Sequence, residues 1–124
     1  MEKKIVLIIE DELPIKEVYV EVLTASDFEV LESADGEDGL NKALSQKWDL
    51  MLLDIMLPKK DGLEVLAQIK KNPELKNRPI VLLTNLGRDS IVKEGFNLGA
   101  VDYLVKSDIT PGDVVNCVIK YTNA

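Results

Sequence analysis

In the stretch LLDIMLPKKDG, residues 52–62, an apolar run ends abruptly on an acid. Asp54 follows the last leucine directly, and Pro58 comes four residues later. Proline fixes its own φ angle and glycine accepts conformations closed to other residues, so Pro58 and Gly62 indicate a loop. An acid at such a junction is either a turn former or a reactive group held at the edge of a core.

Apolar segments like this one recur along the chain and alternate with stretches of helical spacing. The five predicted strands are residues 4–9, 28–33, 50–53, 80–83 and 101–105. The five predicted helices are residues 14–25, 37–46, 62–71, 89–98 and 111–121. Strands alternating with helices of this length predict right-handed βαβ units and a parallel sheet.

The polarity of the strands predicts their order. Segments 1, 3 and 4 are apolar throughout, as strands covered on both faces must be. Segment 2 contains Glu29 and Glu32, and segment 5 contains Asp102, so we expect these two at the edges. This pattern matches the α/β, flavodoxin-like, doubly wound (βα)5 fold, with strand order 2-1-3-4-5 and helices on both faces. We expect one domain over residues 1–124 and no output domain.

The helices carry their own predictions. In the first helix we expect Pro14 in the first turn, where a missing N–H does no harm, and Ile15, Val18 and Val22 on the buried face. In the third helix, Asp61 is the expected N-cap.

Composition excludes several classes of function. The chain has 124 residues, a net charge of -7 and no histidine, and Cys117 is its one cysteine. An acidic domain lacks the basic patch needed for direct nucleic-acid binding. The absence of histidine removes Ser-His-Asp and Cys-His nucleophile systems. No apolar run approaches the ~20 residues that span a bilayer, and we see no signal peptide, so we expect a cytoplasmic protein without membrane contact.

Polar residues follow four of the predicted strands. In open α/β sheets, ligands bind beyond the carboxyl ends of the strands, near the point where the strand order reverses. The residues placed there are Glu10, Asp11, Glu12, Asp54, Thr84, Asn85, Lys106 and Ser107. Close carboxylates repel each other or require a cation, and those of Asp11 and Asp54 suit Mg²⁺. A cation, the Lys106 ammonium and the Thr84 hydroxyl would together neutralise a transferring phosphoryl group, and the carboxylate of Asp54 can be its nucleophile.

The chain closely resembles the receiver domains of two-component response regulators, of the stand-alone, chemotaxis-regulator-like kind. The resemblance rests on the acidic pair ED at 10–11, DIMLPKKDG at 54–62, LLT at 82–84, GAVDYLVK at 99–106, and their spacing. It covers nearly the whole chain. It implies a phosphoprotein of a phosphorelay, which catalyses its own phosphorylation and dephosphorylation without being a turnover enzyme in the usual sense.

The resemblance also implies roles for single residues. Asp54 would accept a phosphoryl group from a sensor histidine kinase or a histidine phosphotransfer protein, and a further protein would be the downstream target. Thr84 and Lys106 would hold phosphoryl oxygens, and Tyr103 would swing inward with Thr84 as part of a conformational switch. The metal ligands implied for Mg²⁺ are Glu10, Asp11, Asp54 and the backbone carbonyl of Met56. Met56 and Leu86 would occupy the positions that tune the lifetime of the phosphoryl group.

Three residues depart from the pattern of the family. Glu10 replaces the usual aspartate, a common variant. Asn85 replaces a small residue, and we expect its bulk to narrow access to Asp54 and slow phosphoryl transfer. Ser107 replaces the proline that usually follows the lysine in a cis bond. A cis bond before serine costs about 2.5–4 kcal/mol, so we favour a trans Lys106–Ser107 bond.

Alternative functions remain open at this point. One is a receiver-like interaction module that acts without phosphorylation, and another is the receiver part of a longer DNA-binding regulator. A phosphatase of the haloacid dehalogenase type needs a second acid two residues after the nucleophile, where this chain has Met56. A nucleotide-binding domain needs a glycine-rich loop after the first strand, which EDELPIK lacks.

Overall fold

The computed structural model describes residues 2–85 and 89–124, and in these ranges five strands each lead into a helix. The strands are β1 (Ile5–Ile9), β2 (Glu29–Ser33), β3 (Leu50–Asp54), β4 (Ile80–Thr84) and β5 (Asp102–Val105). The helices are α1 (Leu13–Ala25), α2 (Gly36–Ser45), α3 (Gly62–Lys70), α4 (Asp89–Asn97) and α5 (Pro111–Thr122). Every element predicted from the sequence is present, with ends that coincide with the prediction or differ from it by one residue.

The five strands form one parallel sheet in the order β2-β1-β3-β4-β5. This confirms the predicted doubly wound topology. All residues of β3 and β4 are buried, whereas β2 and β5 keep partly exposed residues, as expected of edge strands. Because β1 and β3 are neighbours, with Ile9 beside Leu53, the loops after these two strands open at the same edge of the sheet.

The core lies in two layers, one on each face of the sheet. Successive residues of a strand point to opposite faces. Leu7 and Leu53 therefore pack in one layer with side chains of α2 and α3, and Ile8 and Leu52 pack in the other with side chains of α1 and α5. The strand ends are thus fixed between two rigid layers, which positions the polar groups that follow them.

The predicted buried face of α1 is wrong by about one residue position. The structure buries Tyr19 and Leu23, while Val18 is 42% exposed and Val22 is only partly buried. Ile15 packs at the margin of the core. The larger aromatic and leucine side chains cover more apolar area than the valines do, and this difference decides which face turns inward.

Local signals in the sequence place the helix starts correctly. Pro14 lies in the first turn of α1, and Asp61 caps α3 by accepting a hydrogen bond from the Glu64 backbone N–H at 2.9 Å. At α5, Thr110 and Asp113 form a reciprocal capping box. Within the two described ranges, no helix is long and apolar enough to cross a membrane.

Candidate functional site

The predicted site residues meet at the carboxyl ends of β1, β3, β4 and β5. Glu10, Asp54 and Thr84 are buried there, and the Lys106 ammonium reaches in from the end of β5. The Lys106 backbone N–H donates a 2.8 Å hydrogen bond to the Thr84 carbonyl, which continues the pairing of β4 with β5 and fixes where the lysine begins. The sheet register therefore assembles groups that are far apart in sequence.

The Lys106 ammonium stands at the centre of the site. Its Nζ lies 2.5 Å from Glu10 Oε1 and 3.0 Å from Asp54 Oδ2, and the Lys106 side chain is only 2% exposed. A third carboxylate, that of Glu12, lies 3.5 Å away on the solvent side. Ion pairs of buried groups are strong because water screens them poorly, so this ammonium orients both buried acids.

Burial, with a further contribution from the adjacent Glu10 carboxylate, raises the pKa of Asp54 to about 7 against the opposing effect of Lys106. Burial also disfavours the charged form of Lys106, but the contacts of its ammonium with the carboxylates of Glu10 and Asp54 outweigh burial and raise the pKa of Lys106. The lysine therefore stays charged, whereas Asp54 is poised between its acid and its carboxylate.

A cluster of carboxylates at this edge of the sheet is suited to bind a hard divalent cation. Carboxylate oxygens of Glu10, Asp11 and Asp54 lie within 4.8 Å of one another. Two of these acids are buried, and one ammonium cannot neutralise both. Glu10 Oε1 is fully buried and, among the described residues, accepts no hydrogen bond of regular geometry despite its ion pair with Lys106. Oxygen donors with surplus negative charge are the ligand set that Mg²⁺ prefers.

The loop after β3 shapes the acceptor. The Met56 backbone N–H donates to Asp54 Oδ1 at 3.1 Å, and the Gly62 N–H donates to the Ile55 carbonyl at 2.8 Å. These two bonds fold the segment tightly back on the end of β3. The Met56 side chain is 69% exposed, so it lies at the surface next to the site. The role of the Met56 carbonyl as a metal ligand stays a prediction.

Asn85 and Glu12 contact each other across the site. Asn85 Nδ2 donates to Glu12 Oε1 at 3.3 Å, which links the loop after β4 to the start of α1. The sequence placed Glu12 among the polar residues at this edge of the sheet but did not predict its contact with Asn85. Its one signal was the acidic run at 10–12. Leu86, the other predicted rate-tuning residue, lies outside the described residues.

Tyr103 lies on β5 and is 36% exposed. Its ring packs edge-to-face against Phe96 of α4, with centroids 6.1 Å apart and an interplanar angle of 81°. Sequence reasoning did not single out Phe96. The switch role of Tyr103 and Thr84 stays a prediction.

The Lys106–Ser107 bond is trans, as favoured from the sequence. Asp108 then turns the chain back by donating its N–H to the Val105 carbonyl at 2.9 Å. A trans bond at this position is compatible with an ammonium that reaches Asp54.

The chain is similar to known response regulators. It is 36% identical to the transcriptional regulatory protein ResD of Bacillus subtilis and 34% identical to SrrA of Staphylococcus aureus, each over 110 residues that cover 89% of this chain. The match spans 44% of the length of these relatives.

Solved structures agree with this likeness. A putative response regulator from Chloroflexus aurantiacus superposes with a TM-score of 0.91 at 30% identity, covering 99% of this chain and 100% of that one. The Mn²⁺-bound response regulator Rcp1 superposes with a TM-score of 0.85 at 34% identity, covering 98% and 96%. The response regulator receiver domain family matches residues 6–118. The chain therefore belongs to the receiver domains of two-component response regulators.

Proposed function

We propose that this receiver accepts a phosphoryl group on Asp54 from a phosphohistidine of a sensor histidine kinase or a histidine phosphotransfer protein. The observation that carries the proposal is the buried Asp54 carboxylate, 3.0 Å from the Lys106 ammonium and grouped with Glu10 and Asp11. These 124 residues contain no histidine, so the phosphohistidine lies outside them. A cytoplasmic location is part of this proposal, because the donor histidine is phosphorylated from ATP.

The transfer needs one bond made and one bond broken. An Asp54 oxygen attacks phosphorus, the P–N bond to the imidazole breaks, and its electron pair stays on the ring nitrogen, which takes up a proton. Lys106 holds one phosphoryl oxygen by charge, and the Thr84 hydroxyl donates to another. Glu10, Asp11, Asp54 and the Met56 carbonyl would hold Mg²⁺, which supplies positive charge to the phosphoryl oxygens when bound.

The phosphorylated site would signal through a change of conformation. Thr84 would move toward the phosphoryl group and Tyr103 would leave its edge-to-face contact with Phe96 to follow it. A partner protein would read the new surface of β5. Support for this step comes from the position of Tyr103, which is at the surface on β5, the strand that leads directly into Lys106.

The intact mass of the protein after incubation with acetyl phosphate and Mg²⁺ tests the proposal. We expect a phosphoryl adduct on the wild type and on the control variant Asp108→Ala, which removes an exposed acid near the site. The adduct should disappear in Asp54→Ala and in EDTA. An adduct that survives in Asp54→Ala contradicts the assignment. A wild type that stays unmodified, with donor kinases as well, supports an interaction module that acts without phosphorylation.

A second candidate is the receiver part of a longer DNA-binding regulator. The relatives ResD and SrrA are transcriptional regulatory proteins, and the chain spans less than half of their length. The mass of the protein isolated from its own cells decides between the two. A mass of 13.8 kDa supports a receiver that acts alone, and a mass about twice as large supports a regulator with an attached output domain.

A further inference from the structure

Glu12 is the outermost charged group of the site. Its carboxylate contacts two groups, Asn85 Nδ2 at 3.3 Å and Lys106 Nζ at 3.5 Å. Its backbone N–H donates to Glu10 Oε2 at 3.0 Å, which ties the start of α1 to the buried acid. The Glu12 side chain is 41% exposed, whereas those of Lys106 and Asp54 are each 2% exposed. Glu12 therefore stands between the reacting groups and solvent.

This position has an electrostatic consequence for an incoming donor. Glu10, Glu12 and Asp54 share one ammonium, so Lys106 cannot attract an anion as strongly as an unshared lysine would. Glu12 Oε1 and Asp54 Oδ2 both contact Lys106 Nζ, at 3.5 Å and 3.0 Å. The distance between the two oxygens therefore cannot exceed the sum of these two contact distances. At such distances a unit charge changes the energy of an approaching dianion substantially, even where water screens it.

We propose that Glu12, held in place by Asn85, is a specificity-determining gate that disfavours small, highly charged phosphodonors at Asp54. The inference rests on the proposed function and names a selectivity that the proposed function does not require. A protein donor offsets the repulsion with contacts elsewhere on its surface, whereas a small anion has no such contacts. The gate therefore favours transfer from protein phosphohistidine over transfer from free phosphodonors.

The test compares the rate of phosphorylation by two small donors, acetyl phosphate and the less charged phosphoramidate. Glu12→Gln keeps the size of the side chain and removes its charge. We expect about a 3- to 10-fold faster reaction with acetyl phosphate and a smaller gain with phosphoramidate. The gain should shrink as salt is added, because ions screen the repulsion. Glu17→Gln removes the same charge from an exposed site on α1 and should leave both rates unchanged.

A double-mutant cycle tests whether Asn85 holds the gate. Glu12→Ala and Asn85→Ala should each speed the reaction with acetyl phosphate, and their combined gain should be smaller than the product of the single gains. Both changes remove the same hydrogen bond between Asn85 and Glu12, so their effects on the rate overlap. Fully multiplicative gains would show that Asn85 acts by its bulk alone and would overturn this part of the proposal.

Failure of the gate and failure of the proposed function give different results. The gate is wrong if the wild type is phosphorylated on Asp54 and Glu12→Gln reacts at the same rate, or gains equally with both donors at all salt concentrations. The proposed function is wrong if the adduct persists in Asp54→Ala. Uptake of beryllium trifluoride, followed by ¹⁹F NMR, needs no transfer step. Equal uptake rates in the wild type and Glu12→Gln also overturn the gate.

Discussion

Asp54 is an acid whose ionised form is costly in the folded chain. Burial raises its pKa from the ordinary value of 3.8 to about 7, with Glu10 adding to the rise and Lys106 opposing it. Between these two values the folded chain holds a proton that the unfolded chain has released. The stability of the metal-free protein therefore falls as the pH rises from about 4 to about 7, and then levels off.

Asp54→Asn should remove this loss of stability. It leaves Lys106 paired with Glu10, so one buried anion meets one buried cation. In EDTA we expect the variant to exceed the wild type in free energy of unfolding by about 1–3 kcal/mol near pH 8, and by less near pH 5. Urea denaturation at both pH values measures the difference.

The exposed variant Asp108→Asn is the control and should follow the wild type at both pH values. If Asp54→Asn and the wild type show the same change in stability with pH, Asp54 is already ionised throughout this range. Its carboxylate would then be stabilised by Lys106 more strongly than burial destabilises it.

Among the elements, the loop from β3 to α3 returns very close to the end of its own strand. A Cβ atom on Gly62 would lie 2.2 Å from the Asp54 carbonyl oxygen and 2.7 Å from Ile55 Cα. Both are backbone atoms next to the acceptor, so neither can move without moving Asp54. Glycine is required here because of the close approach between two segments of the chain.

Gly62→Ala should therefore destabilise the protein by about 1–3 kcal/mol and slow phosphorylation of Asp54. Gly112→Ala in α5 is the matched control, since the nearest atom to its added Cβ would be Thr110 Oγ1 at 3.7 Å. We expect this control to be neutral or slightly stabilising, because alanine favours a helix. Thermal unfolding and the rate of the acetyl phosphate reaction measure the two effects. A Gly62→Ala protein that matches the control would show that the loop can rearrange freely.

The positions and order of the strands were predicted from the sequence more accurately than the buried faces of the helices. Alternation and edge charges identified β2 and β5 correctly, and the residue types of Asp61 and Pro14 marked two helix starts. The face of α1 was missed because apolar residues occur on several of its sides, and the sequence does not say which side the sheet will cover. Packing of Tyr19 and Leu23 against the sheet decided it.

At the scale of the whole molecule, part of the excess negative charge is concentrated at the carboxyl ends of the strands. The net charge of the chain is -7, and the carboxylates of Glu10, Asp11 and Asp54 converge within 4.8 Å. A cation bound there stabilises the folded state but not the unfolded state, because these residues are far apart in the unfolded chain.

Mg²⁺ should consequently raise the midpoint of thermal unfolding. At a concentration 100 times the dissociation constant, the gain is about 2.7 kcal/mol. Asp11→Asn should lose most of this shift, whereas Glu37→Gln, an exposed acid on α2, should retain it. Calorimetry with Mg²⁺ and with Na⁺ at matched ionic strength separates binding from screening. An equal shift in wild type and Asp11→Asn would place the cation elsewhere.

The fold class follows from the sequence alone, and so does the expectation that the candidate site residues meet at one edge of the sheet. Strand polarity follows from burial, and groups after parallel strands meet at one edge, so the closeness of Asp54, Thr84 and Lys106 was predicted without coordinates. Tertiary structure alone decided how these groups share charge. The contacts of Glu12 with Asn85 and Lys106 join residues 73 and 94 positions apart. Contacts between residues so far apart in sequence depend on the sheet register and on side-chain packing, which no local pattern of residues encodes.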